Sequence, residues 1–140
     1  MKRFVIMAVA SVFVLGGLHS SALAIAPFKK AFQDKYVEGS GSEEFKAAFQ
    51  KASCNVCHVK GKKKEERNEY GKALDELLEG NSNKRIMEAE KAGGVAGKDA
   101  ETKKVLEELA KAFDKVAEMK SPTGETYGVL IKANQLPIAE

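Results

Sequence analysis

Phe45-Lys46-Ala47-Ala48-Phe49-Gln50-Lys51-Ala52-Ser53-Cys54-Asn55-Val56-Cys57-His58 is the stretch on which the reading of this chain turns. Phe45, Ala48, Phe49 and Ala52 recur at i, i+3, i+4 and i+7, the spacing of one buried face of a helix. Ser42 stands before them as an N-cap, with Glu43 and Glu44 in the first turn, where the helix dipole favours negative charge. The pattern predicts a helix running straight into Cys54. Two cysteines then lie three positions apart, and a histidine follows the second directly.

Four chemistries use such a cysteine pair. A thioredoxin-like redox motif belongs in a βαβ setting, and this chain shows no alternating strand pattern. Zinc needs a fourth ligand beyond Cys54, Cys57 and His58, which here only a carboxylate can supply. A bare disulfide across two residues is strained and leaves His58 without a role. C-x-x-C-H is also the form of c-type haem attachment. There each thiol adds across one porphyrin vinyl group, two intervening residues in a helical turn set the sulfurs near the vinyl separation, and the next residue points at the iron. The sequence therefore predicts one covalent haem c.

Outward from the motif, every segment reads as helix or turn. Upstream, Phe28, Ala31, Phe32 and Tyr36 fall on one face of a segment opened by Pro27 and ended by Gly39-Ser40-Gly41. Downstream, Asn68 caps a helix whose stripe is Tyr70, Ala73, Leu74, Leu77 and Leu78, and Gly80 stops it. Ile86 and Met87 lie in a brief helical piece closed by Gly93-Gly94 and Gly97. The longest helix begins near Asp99 and carries Val105, Leu106, Leu109, Phe113, Val116 and Ala117. Ser121-Pro122-Thr123-Gly124 breaks it, and Tyr127, Leu130 and Ile131 mark a last short helix before Pro137. No repeat or internal domain boundary is visible. The expected fold is all-α, one small helical domain over residues 25–140.

Residues 1–24 read as a signal peptide. Met1-Lys2-Arg3 is a positive n-region, Phe4 to Leu18 an apolar run of about 15 residues, and Ala22-Leu23-Ala24 a small-x-small cleavage site. The run is short of the roughly 20 residues that span a bilayer, so the expectation is a soluble, exported, periplasmic protein with no membrane span after cleavage. Losing Lys2 and Arg3 takes the 23 basic residues to 21 against 20 acidic ones, a net charge of about +1. Nucleic-acid binding, which calls for a strongly basic face, is not supported. Export also fits the motif, because thioether attachment takes place outside the cytoplasm.

From Phe45 to Leu78 the chain resembles the small monohaem class I cytochromes c. The motif lies early in the expected mature chain, an aromatic-bearing helix leads into it, and Asn68-Glu69-Tyr70-Gly71 looks like the asparagine-aromatic-glycine segment that often follows. The resemblance implies a cytochrome c-like helical domain wrapped around its haem, thioethers at Cys54 and Cys57, and His58 as the proximal iron ligand. It also implies a distal methionine from the C-terminal half. Met119, just before Ser121-Pro122, suits the family's order, although it also continues the Val105-Leu109-Val116 stripe as core would; Met87 is the runner-up, and a weak or missing protein ligand is the third reading. With His19 in the leader, bis-histidine ligation within one chain is ruled out.

Lys60, Lys62, Lys63, Lys64 and Arg67 form a basic cluster directly after the motif. It reads either as a solvated face partly balanced by Glu65 and Glu66, or as a patch that docks an acidic redox partner protein. Tyr70 reads as core or as a hydrogen-bond donor to a propionate. Electron transfer, without enzymatic activity, is the expected function. Its rival is a five-coordinate haem protein that binds a gas ligand or acts as a sensor.

Overall fold

Pro27 lies in the first turn of the first helix, where a missing N–H leaves no intrahelical bond unmade. That helix, α1 (Ala26–Phe32), runs on into a π-helical turn over Gln33–Val37. The computed structural model describes residues 26–138, so the expected leader at residues 1–24 lies outside them. Four further helices follow: α2 (Glu43–Ala52), α3 (Glu69–Glu76), α4 (Ser82–Ala117) and α5 (Tyr127–Lys132). Among the described residues there is no strand, only isolated bridges between His58 and Arg67 and between Lys120 and Thr126. The chain is all-α, and none of these helices is long and apolar enough to cross a membrane.

Polar caps start the helices, two of them, Ser42 and Asn68, where the sequence places them. Ser42 Oγ accepts from the Phe45 amide at 3.1 Å, and Asn68 Oδ1 accepts from the Gly71 amide at 2.9 Å. Asn81 and Thr126 do the same for α4 and α5. On α2 the buried face is narrower than its stripe: Phe45 and Phe49 are buried, whereas Ala48 is exposed. At 3.6 residues per turn Ala48 and Phe49 point about 100° apart, and only the Phe45–Phe49 side meets the core.

α4 spans 36 residues but is two helices joined at Gly94, whose φ of 60° and ψ of −148° are open essentially only to glycine. The expected break after Ile86 and Met87 is there. It needs one residue rather than the stretch from Gly93 to Gly97, so the second helix resumes before Asp99. The two halves fold back on each other. Arg85 reaches Glu101 at 2.8 Å and both oxygens of Glu108 at 2.7 and 2.8 Å, and Lys98 meets Glu90 at 3.1 Å.

The core has an aromatic hub at Phe32. Its ring stacks on Phe49 at 5.5 Å and meets Tyr36, Tyr70 and Phe113 edge-on at 5.1, 6.0 and 6.0 Å, so α1 binds α2, α3 and α4 together. Edge-on and offset contacts of this kind suit the ring quadrupoles. Tyr70 meets Tyr127 at 5.0 Å and brings in α5. Tyr36 donates its hydroxyl to the Phe113 carbonyl at 3.1 Å; burial, reinforced by the charge on Asp114, pushes its phenol up to about 12.

Candidate cofactor-attachment site

α2 stops at Ser53, a non-glycine residue at φ 51° and ψ −117°. An L-residue with a Cβ adopts positive φ at a cost, so this turn is held rather than relaxed. From Ser53 to Val56 the chain forms one 3-10 turn. The Cys54 carbonyl accepts twice, from the Cys57 amide at 3.2 Å and the His58 amide at 3.1 Å. The turn and its cap thus bring Cys54, Cys57 and His58 within one bend of the backbone.

The two thiols are free and differ in setting. Cys54 is exposed. Cys57 is partly buried and packs on the core, and burial pushes its thiol up to about 12. His58 is partly buried, and its Nδ1 is enclosed without a hydrogen-bond partner among the described residues. A buried ring nitrogen normally finds one. Two free thiols, one exposed and one half-buried, and an imidazole from the same turn are the groups a covalent haem attachment needs; the enclosed Nδ1 lacks the hydrogen-bond partner that a ligating imidazole's other nitrogen normally has. Among the described residues no three His, Cys, Asp or Glu side chains cluster as ligands of one ion.

Asn68 fastens this turn to α3. Its Nδ2 donates to the Asn55 and Val56 carbonyls, both at 3.0 Å, and its backbone amide donates to the Cys57 carbonyl at 3.1 Å. Gly71 lies so close that a Cβ there would stand 2.0 Å from the Cys57 oxygen. The Asn68-Glu69-Tyr70-Gly71 segment is thus the surface on which the cysteine turn rests. The sequence marks Asn68 as a cap; its second set of bonds is legible only once the turn lies beside it.

No family model, curated protein or solved structure matches the chain. The site rests on its own residues.

Tyr70 is 1% exposed, with its hydroxyl enclosed and unpartnered, and burial raises its phenol far above the ordinary range. It is a core residue. Arg67 leaves the basic cluster to pair with Asp75 at 2.9 Å. Lys60, Lys62, Lys63 and Lys64 stay exposed on a loop closed by the Val59 amide donating to the Glu66 carbonyl at 3.0 Å. Among the described residues none of the four pairs with a carboxylate, so Glu65 and Glu66 do not neutralise them by contact. Met119 sits in the turn after α4, its carbonyl accepting from the Tyr127 amide at 3.0 Å. It is 39% exposed and so is not the core residue its helical spacing allowed; Met87 is 55% exposed.

Proposed function

We propose that this chain is a small exported monohaem cytochrome c that carries electrons and is not an enzyme. The observation that supports the reading most is the Cys54–His58 turn itself, which carries two free thiols and an imidazole directly after the second. Cys54 and Cys57 would hold the haem through thioethers, and His58 would be the proximal iron ligand within a helical domain wrapped around the group. The bound haem supplies a one-electron ferrous–ferric couple. The chain's part is to hold the imidazole in one orientation, keep water from the buried side of the turn, and present a basic loop to a partner. Four lysines without carboxylate contacts suit an acidic face on that redox partner protein. Charge reversal at Lys62, Lys63 and Lys64 then slows reduction by an acidic donor protein at low salt and flattens its salt dependence.

Acid–organic extraction of the purified mature protein tests the haem. The haem stays with the polypeptide, and the double change Cys54→Ala with Cys57→Ala releases it; free extraction from the wild type overturns the reading. On the distal side Met119 is the proposed ligand and Met87 the runner-up. The exposure of both methionines favours the rival, a five-coordinate haem protein binding a small gas ligand or acting as a sensor. The ferric near-infrared sulfur-to-iron band and slow uptake of carbon monoxide, both lost in Met119→Ala, decide for the electron carrier. Rapid uptake by the wild type without that band decides for the gas binder.

A further inference from the structure

We infer that Asn68 is a positioning residue: its side-chain amide holds the turn that carries Cys54, Cys57 and His58 in register against α3, and so sets the attitude of the imidazole. The inference rests on the haem reading for its purpose, and on the hydrogen bonds alone for its geometry.

Asn68 has two separable jobs. Its Oδ1 caps α3 by accepting from the Gly71 amide at 2.9 Å. Its Nδ2 donates to two successive carbonyls, Asn55 and Val56, at 3.0 Å each, across 12 and 13 residues of chain. A cap needs only an acceptor, and aspartate or serine supplies one as well as asparagine does. A side-chain amide accepts from Gly71 and still has two N–H donors for the turn, whereas a hydroxyl has one and a carboxylate none. The turn needs holding, because it opens on Ser53 at positive φ and its carbonyls at Asn55 and Val56 face Asn68 rather than continuing a helix. Gly71 makes the second half of the seat: its Cα lies against the Cys57 carbonyl, where any side chain would collide. The two residues bracket the turn from Asn55 to Cys57, directly before His58.

Asn68→Asp keeps the cap, removes both donations and sets a carboxylate against two carbonyls; Asn68→Ser keeps the cap and leaves at most one donation from a shorter side chain. Amide hydrogen exchange, read residue by residue on the purified protein, separates the two jobs. The Cys57 and His58 amides, which close the turn, should exchange about tenfold faster in both variants, as the loss of one or both hydrogen bonds implies. The Gly71 amide should stay within about twofold of the wild type. Unchanged exchange at Cys57 and His58, or an equal rise at Gly71, overturns the inference and leaves Asn68 a helix cap. In haem-bearing protein both variants should also shift the midpoint potential while the haem still resists extraction; an unmoved potential with faster exchange overturns the positioning role. If wild-type haem extracts freely, the cytochrome reading fails by itself, and the exchange result still decides whether Asn68 holds the turn.

Discussion

Asn68 and Arg85 each fasten one stretch of chain to another, and they do it with opposite chemistry. Asn68 is neutral and short, and it works on backbone carbonyls 12 and 13 residues away. Arg85 is charged and long, and it works on the carboxylates of Glu101 and Glu108, 16 and 23 residues away across the Gly94 break. Behind Asn68 stands the aromatic hub, through Tyr70. Arg85 keeps about a quarter of its side chain exposed, so water and salt compete for its partners. The cysteine turn is therefore held by contacts that pH and ionic strength hardly touch, and the α4 hairpin by contacts that both can loosen. A site that must keep one geometry gains from the first arrangement.

The largest effect should come from removing the backing of the cysteine turn. Tyr70→Ala deletes a ring that is 1% exposed and touches both Phe32 and Tyr127. A loss of about 3–5 kcal/mol in urea unfolding is expected, as for other large aromatic truncations. Tyr70→Phe should cost less than about 1 kcal/mol, because the hydroxyl has no partner to lose. A cost from Tyr70→Phe as large as that from Tyr70→Ala would mean that the hydroxyl is bonded after all, and would return Tyr70 to the propionate role.

On the charged side, Arg85→Ala should cost about 1–2 kcal/mol at low salt, a figure kept small by the exposure of the pairs. Raising salt to about 0.5 M should shrink the difference, whereas the destabilisation of Tyr70→Ala should hardly change. Equal salt sensitivity of the two would show that the cysteine turn and the α4 hairpin are held by the same kind of contact.

Acid sharpens the same contrast. Hydrogen bonding to Arg85 is the main cause that holds the Glu108 carboxyl below its usual value of 4.5. A carboxylate depressed in the folded state stabilises it above the unfolded value, and that contribution is lost as pH falls through the folded one. The melting temperature should therefore drop below about pH 4.5, and Glu108→Gln should flatten the drop. An identical acid profile in the variant would show that Glu108 contributes nothing.

The smallest effect is expected at Ser53. Ser53→Gly relieves a Cβ at positive φ and should stabilise the fold by up to about 1 kcal/mol in thermal melts, offset by glycine's greater freedom in the unfolded chain. A destabilisation above about 1 kcal/mol would show that its hydroxyl, which accepts from Lys29 at 3.0 Å, matters more than the backbone.

Much of this molecule was legible because its signals are local. Ser42 and Asn68 as caps, Phe45 with Phe49, the Gly93-Gly94 break and the Tyr127 helix all follow from neighbours within a turn or two, whereas α3 ends at Glu76, before the stop expected at Gly80 and short of Leu77 and Leu78 in its stripe. Ala48 failed because a stripe says which side is apolar but not how wide the packed face is. Arg85 was missed for a different reason: its partners lie beyond a reversal at Gly94, and no spacing rule links residues 85, 101 and 108. At the site, the identities of Cys54, Cys57 and His58 were plain, while the strain at Ser53 and the double duty of Asn68 needed the turn and α3 to lie side by side. Met119 shows the limit of periodicity, since its spacing continues the stripe of α4 just past the point where the helix has ended.

The lysine loop from Val59 to Glu66 makes the protein divisible. It is closed at its base by the Val59–Glu66 bond and exposed at Lys60, Lys62, Lys63 and Lys64, a setting in which proteases nick folded chains. A cut there leaves α1, α2, both cysteines and His58 on one fragment and α3, α4 and α5 on the other. The contacts that cross between those two parts are Phe32 against Tyr70 and Phe113, Tyr36 on the Phe113 carbonyl, and Asn68 on the cysteine turn. The half that carries Cys54, Cys57 and His58 and the half that seats their turn are thus separate pieces of one jigsaw, joined in sequence by a basic loop.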